Sequence, residues 1–233
     1  MNKAYILNAP QSLKYITDNM HDILNDKIEQ YKKIFKIKQL NPIQINYFDN
    51  IEEFRNFIYK IRGEKESLPE YATGTYDNGM INAFITPNID INSNDYKIKL
   101  YLANHELFHI LYMQYILKND YQKRIVWYDE GMAQFLSGEM DELLDIEKFK
   151  KFYLKVKNNT LVIPNLNEIE HGTSFCNNNY NGYDLSYLCI RYLREIMTNE
   201  EFQDLMSNFS KIKEYGINII ENMFAYYYSI INN

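Results

Sequence analysis

Between Gln11 and Ile37 the apolar residues Leu13, Ile16, Met20, Ile23, Leu24, Ile28, Tyr31 and Phe35 recur every three or four positions, the spacing of one helical face. The pattern predicts a long amphipathic helix, stopped by Asn41-Pro42. Ile43, Ile45 and Tyr47 then alternate with polar neighbours, as a half-buried strand would. Asn50 can cap a second helix over residues 51–61 that ends at Gly63. Over residues 64–96 the texture changes. Pro69, Gly74, Gly79 and Pro87 punctuate short β-prone runs, and Asp77-Asn78-Gly79 signals a tight turn, so a hairpin with arms near 71–76 and 80–86 is expected. Asp95 can cap the next helix, residues 96–117, which is apolar on nearly every side and should therefore be buried. After a polar connector at 118–124, residues 127–137, 143–158, 182–197, 200–209 and 211 onwards read as helices joined by short loops.

Strands lie early and helices late, and no repeat, low-complexity block or charge run divides the chain. The expectation is one α+β domain over residues 1–233, with an N-terminal α/β part at about 1–118 and a helical C-terminal part at about 119–233. The 233 residues, 46% of them hydrophobic, suffice to fill a core and exclude general disorder. No run of eighteen apolar residues exists to span a bilayer, and the N-terminus shows neither an apolar leader segment nor a small-residue cleavage site. A cytoplasmic location is the expectation. Cys176 and Cys189 are too few for a disulfide framework and match no zinc-pair spacing, so reduced, buried thiols are expected. A net charge of −6 with Lys spread along the chain leaves no basic footprint for nucleic acid.

The chemistry concentrates in the buried helix, at His105-Glu106-Leu107-Phe108-His109. Two His at i and i+4 lie one above the other on a helix face, so both imidazoles can reach one metal ion, with Glu106 beside it. Ionisable groups on a helix otherwise built of Leu, Ile, Tyr, Phe and Met are costly unless paired, and a zinc ion would supply the partner. A catalytic zinc takes three protein ligands and keeps one open position. Glu130 opens the next predicted helix, which can fold back antiparallel and bring a carboxylate opposite the His pair.

These residues resemble the gluzincin metallopeptidases, the group of thermolysin and aminopeptidase N. In particular they resemble the small bacterial peptidase-MA-like branch, whose glutamate helix reads W-x-[DN]-E-G-x-A. Here the segment is Trp127-Tyr128-Asp129-Glu130-Gly131-Met132-Ala133. Twenty residues separate His109 from Glu130, slightly more than in the best-known gluzincins. The resemblance implies a zincin-like α+β fold, with a small mixed sheet and an active-site helix in the N-terminal half and helices after it. It implies one Zn²⁺ held by His105, His109 and Glu130, with Glu106 as general base for the attacking water and a peptide or protein as substrate.

Further site residues follow from the same resemblance. Tyr183, in a Y-x(8)-Y-L segment, would donate a hydrogen bond to the oxyanion, with Tyr180 as the alternative. The strand at 80–84 would be the sheet edge above the zinc, where Asn82 and Ala83 would contact an extended substrate. Aminopeptidase-type enzymes carry G-x-M-E-N on this edge. Gly79-Met80-Ile81-Asn82 lacks the Glu, which favours endopeptidase over aminopeptidase action. Gln134, four residues after Glu130, could accept from the distal ring nitrogen of His105 or His109. His171, in an Asn-rich loop, reads either as an exposed loop residue or as an aid to the transition state of the kind thermolysin-like enzymes carry, and His21 as a surface or boundary residue of the first helix. The competing function is a zincin-fold binding or regulatory module that keeps zinc without general peptidase activity. A third reading is a helical interaction protein in which the motif is accidental. The intact Glu106 argues against the module, since a structural zinc needs no base.

Overall fold

The computed structural model of the chain describes residues 4–63, 68, 72–140, 153–155, 157, 158, 160, 165–169, 175, 176 and 180–231. Most of the helix expected at 143–158, and His171, lie outside these residues. Two units divide the chain. The first is Met1–Tyr115 with Leu136–Glu139, and the second is Ile116–Phe135 with Met140–Asn233.

The first unit is built on a four-stranded mixed sheet. Strand β1 (Tyr5–Asn8) leads through the amphipathic helix α1 (Lys14–Ile34) to β2 (Ile43–Phe48), and the two strands pair in parallel. A parallel pair needs such a crossover, because the chain must return to the same end of the sheet before the next strand starts. Helix α2 (Ile51–Arg62) follows, with Asn50 accepting from the backbone N–H groups of Glu52 and Glu53 and Gly63 leaving the helix at φ 80°. The hairpin pairs β3 (Gly74–Asp77) with β4 (Met80–Phe84) across a turn whose Asn78 and Gly79 both take positive φ. That conformation suits the right-handed twist of the two arms.

Strand order is β1-β2-β4-β3. Strand β4 therefore lies between β2 and β3, and the expectation that it forms the open edge is corrected: the edges are β1 and, beside β4, β3. One side of β4 pairs in parallel with β2, and the hairpin arm β3 folds back antiparallel on its other side.

Period-two alternation gives the sheet two faces. Ile45 and Tyr47 of β2 align with Ile81 and Ala83 of β4, all buried, and the Tyr47 hydroxyl reaches Met20 Sδ of α1 at 2.9 Å. The alternate positions Asn8, Asn46 and Asn82 stand in register across three strands and form an amide ladder. Asn8 donates to Asn46 at 2.9 Å, and Asn46 donates to Asn82 at 2.8 Å. On this second face α2 sends Arg62 to Thr75 and Asp77 of β3.

Helix α3 (Asn94–Leu111) is buried along most of its length, as its all-round apolarity requires, and continues into a π-helical turn at Tyr112–Ile116. Its cap is Ser93, which accepts from Tyr96 N–H at 3.1 Å, and not Asp95. Asp95 lies two residues past the cap, already inside the helix. Its charge instead lies in the first turn, where the helix dipole favours it.

The second unit carries α4 (Val126–Ser137), whose last two residues belong to the first unit, then α5 (Gly182–Ile196), α6 (Asn199–Leu205) and α7 (Phe209–Ile231). Helix α4 approaches α5 at Gly131, where an added Cβ would stand 2.5 Å from the Ser186 carbonyl oxygen. Helix α6 opens with a full capping box from Thr198 and Glu201. Among the described residues no helix is long and apolar enough to cross a membrane.

Candidate metal centre

Helix α3 places His105, Glu106 and His109 in one buried turn, at 8%, 7% and 3% exposure. The i, i+4 spacing brings the two Nε2 atoms to 3.0 Å, with the imidazole planes 73° apart. One ligand atom from each of His105, His109 and Glu130 lies within 4.8 Å of the other two, and all three residues are buried. Two imidazole nitrogens and a carboxylate oxygen are the donor set of a catalytic zinc. A tetrahedral zinc with Zn–N bonds of about 2.0–2.1 Å would separate its two nitrogens by about 3.3 Å. The three donors fit zinc in kind and number, and the two imidazole nitrogens fit it in spacing.

The neighbourhood of the His pair is drawn from several elements of the first unit. Strand β3 lays Tyr76 against His109, with ring centroids 5.5 Å apart and planes 25° from parallel. Gly74, also on β3, leaves room for the Glu106 carboxylate: a Cβ there would stand 2.9 Å from Oε1. Lys99 of α3 is buried and hydrogen-bonded to Thr73. Burial pulls its pKa down, opposed by the charges of Asp95, Glu139 and Glu106. Tyr47 is pushed above the ordinary phenol range by burial first, and then by Glu106 and Tyr5. His105 has its partner in Glu139, whose Oε1 lies 3.0 Å from Nδ1. The sequence offers Gln134 as such a partner for His105 or His109; it is buried on α4. A carboxylate just past a helix-ending Gly, as in Ser137-Gly138-Glu139, was the available signal.

Around Glu130, within the second unit, Arg124 contacts Asp129 through Nε and reaches Glu130 Oε1 through Nη2 at 3.0 Å. Its guanidinium thus spans two almost fully buried carboxylates, a role that no local pattern in the sequence announces. Tyr183 stands in the first turn of α5, its N–H bonded to the capping Asn181 and its ring edge-on to Phe175 at 4.7 Å. Tyr180 is buried just before that helix. Asn82 and Ala83 lie on the interior strand β4, where the Asn82 side chain is taken up by the amide ladder. His21 of α1 bonds to the Tyr5 hydroxyl.

The family model described as collagenase, peptidase M9, matches residues 1–224. The chain belongs to this collagenase family. The family is one of zinc metallopeptidases, so the chain is a metallopeptidase with protein or peptide substrates. The match upholds the zinc-peptidase expectation but not the peptidase-MA-like branch: the segment around Glu130 is too short to separate families that share a metal-binding scheme. No curated protein and no solved structure is significantly similar to the chain.

Proposed function

We propose that the chain is a gluzincin-type zinc endopeptidase holding one Zn²⁺ through His105, His109 and Glu130. The observation that carries this reading is the buried convergence of these three donors, with Glu106 in the same helical turn. When bound, zinc supplies Lewis acidity that draws the pKa of a water towards neutrality and polarises the scissile carbonyl. Glu106 takes the proton of the attacking water on a carboxylate oxygen and delivers it to the leaving amide nitrogen. Tyr183 donates its phenolic O–H to the oxyanion of the tetrahedral intermediate. Arg124 bonds to Glu130 Oε1 and so helps to orient this carboxylate for the metal.

Substrate binds as an extended chain along β3, since an edge strand offers unused backbone donors and acceptors to a polypeptide. This moves the expected contacts from Asn82 and Ala83 to the outer strand. The absence of the aminopeptidase Glu from the hairpin supports internal cleavage, and the family description makes gelatin and collagen peptides the first substrates to try.

The test is cleavage of gelatin and a mixed peptide library by the wild type and by Glu106→Gln, read by mass spectrometry with zinc quantified in both. Internal cleavage by the wild type, one zinc per chain in each protein and a loss of at least about a hundredfold in the variant are expected. A zinc-free wild type, or undiminished turnover by a zinc-loaded variant, overturns the assignment.

A further inference from the structure

The turn that ends helix α4, Leu136–Glu139, belongs to the first unit and is held there by two bonds from α1 and α3 and one within itself. Lys27 of α1 donates to the Leu136 carbonyl at 2.6 Å, Asn104 of α3 donates to the Ser137 carbonyl at 3.4 Å, and the Ser137 hydroxyl accepts from the Glu139 N–H at 3.2 Å. Carbonyls at a helix C-terminus lack partners within the helix, so these bonds satisfy groups that would otherwise be orphaned. Gly138, at φ 87°, reverses the chain. The result is that Glu139, 7% exposed, is set against His105 Nδ1, the residue next to the anchoring Asn104. With the Glu139 carboxylate oxygen as acceptor of this bond, the donor is the Nδ1–H tautomer of His105. The Nε2 lone pair is then left facing the Nε2 of His109, 3.0 Å away.

We propose that Glu139 is a positioning residue for the metal site: it fixes the tautomer and ring orientation of His105 so that Nε2 is the atom offered to zinc. This deepens the zinc-peptidase reading and rests on it. It also assigns a purpose to the helix-ending turn, since a carboxylate buried to this degree is costly without a partner. A carboxylate behind a ligating imidazole raises its basicity and removes the need to select a rotamer on binding.

Two measurements on the full chain test it. In the metal-free wild type, ¹⁵N-detected imidazole NMR assigned with His105→Gln is expected to show His105 protonated on Nδ1; protonation on Nε2 overturns the proposal without any Glu139 variant. Competition with a zinc chelator is expected to show binding weakened about 10- to 100-fold in Glu139→Ala, and by less than about tenfold in Glu139→Gln, whose amide oxygen still accepts from Nδ1. Rescue by Gln separates positioning from simple loss of packing. Unchanged affinity in Glu139→Ala, or equal losses in both variants accompanied by equal falls in melting temperature, overturns this role alone. A wild type that takes up no zinc overturns the function and this role together.

Discussion

At Gly74 the residue type follows from its neighbour. A methyl group there would stand 2.9 Å from Glu106 Oε1 and equally close to Leu102 Cδ1, inside ordinary contact distance. Gly74→Ala is therefore expected to push the Glu106 carboxylate out of place while leaving the proposed zinc donors His105, His109 and Glu130 alone. A displacement of about 1 Å in a proton-transferring group costs on the order of a hundredfold. Steady-state kinetics should show kcat falling by that order with zinc per chain unchanged, and full activity in Gly74→Ala would show that Glu106 does not depend on this gap. The residues that the sequence disclosed and those it hid differ in one physical respect. His105, Glu106 and His109 are related by helix geometry alone, so four positions of sequence announce a shared face. Gly74, Tyr76, Arg124 and Glu139 matter through contacts made by a hairpin, a connector and a reversed helix end, and no fixed spacing encodes those. Gln134 is offered to His105 or His109 by its place four residues after Glu130, whereas Glu139 reaches His105 through a turn that counting cannot follow.

Among the elements, those with strong periodicity were legible and those defined by pairing were not. Helices α1, α2, α5 and α7 announce themselves by apolar residues at three and four, and β2 by alternation. Strand β1 escaped, because four residues with one buried position carry almost no pattern and become a strand only by pairing with β2. For the same reason the sequence showed the hairpin but not its place, since order within a sheet depends on which distant strand each arm meets. Contacts between helices lead to a sharper prediction. Gly131 lets α4 approach the backbone of α5, and a Cβ there would meet the Ser186 carbonyl oxygen at 2.5 Å and Ile190 Cγ1 at 2.7 Å. Backbone cannot swing aside as a side-chain end can, so Gly131→Ala should destabilise the protein by about 1–3 kcal/mol despite Ala's better helix propensity. Urea unfolding checks the sign, and a stabilised variant would mean the two helices do not approach this closely. Asn50→Ala, which removes the acceptor for Glu52 and Glu53 N–H, should cost about 1 kcal/mol in the same assay.

For the molecule as a whole, burial of tyrosine sets the alkaline limit. The chain has 22 Tyr, and those buried most deeply cannot ionise in place: burial pushes the pKa of Tyr31, Tyr47 and Tyr128 above the ordinary 10.0, and that of the Cys189 thiol above 9.0. Above those ordinary values the unfolded chain releases protons that the folded chain retains. Fewer protons bound in the unfolded state means that stability falls as pH rises. Each such group steepens the fall by up to about 1.4 kcal/mol per pH unit. Lys99 acts in the opposite sense, because burial lowers its pKa and the unfolded chain binds its proton more readily below 10.5, but it is one group against four. Stability should therefore hold up to about pH 9 and then drop with increasing slope through pH 11, read as urea midpoints at half-unit intervals. General repulsion in an already acidic chain would give a decline of the same sign, so Tyr47→Phe is the discriminating variant. Its phenol makes only a weak contact with Met20 Sδ, and removing it should flatten the slope above pH 10 while changing the midpoint at pH 8 little. A parallel decline in wild type and variant would assign the effect to net charge and not to buried phenols.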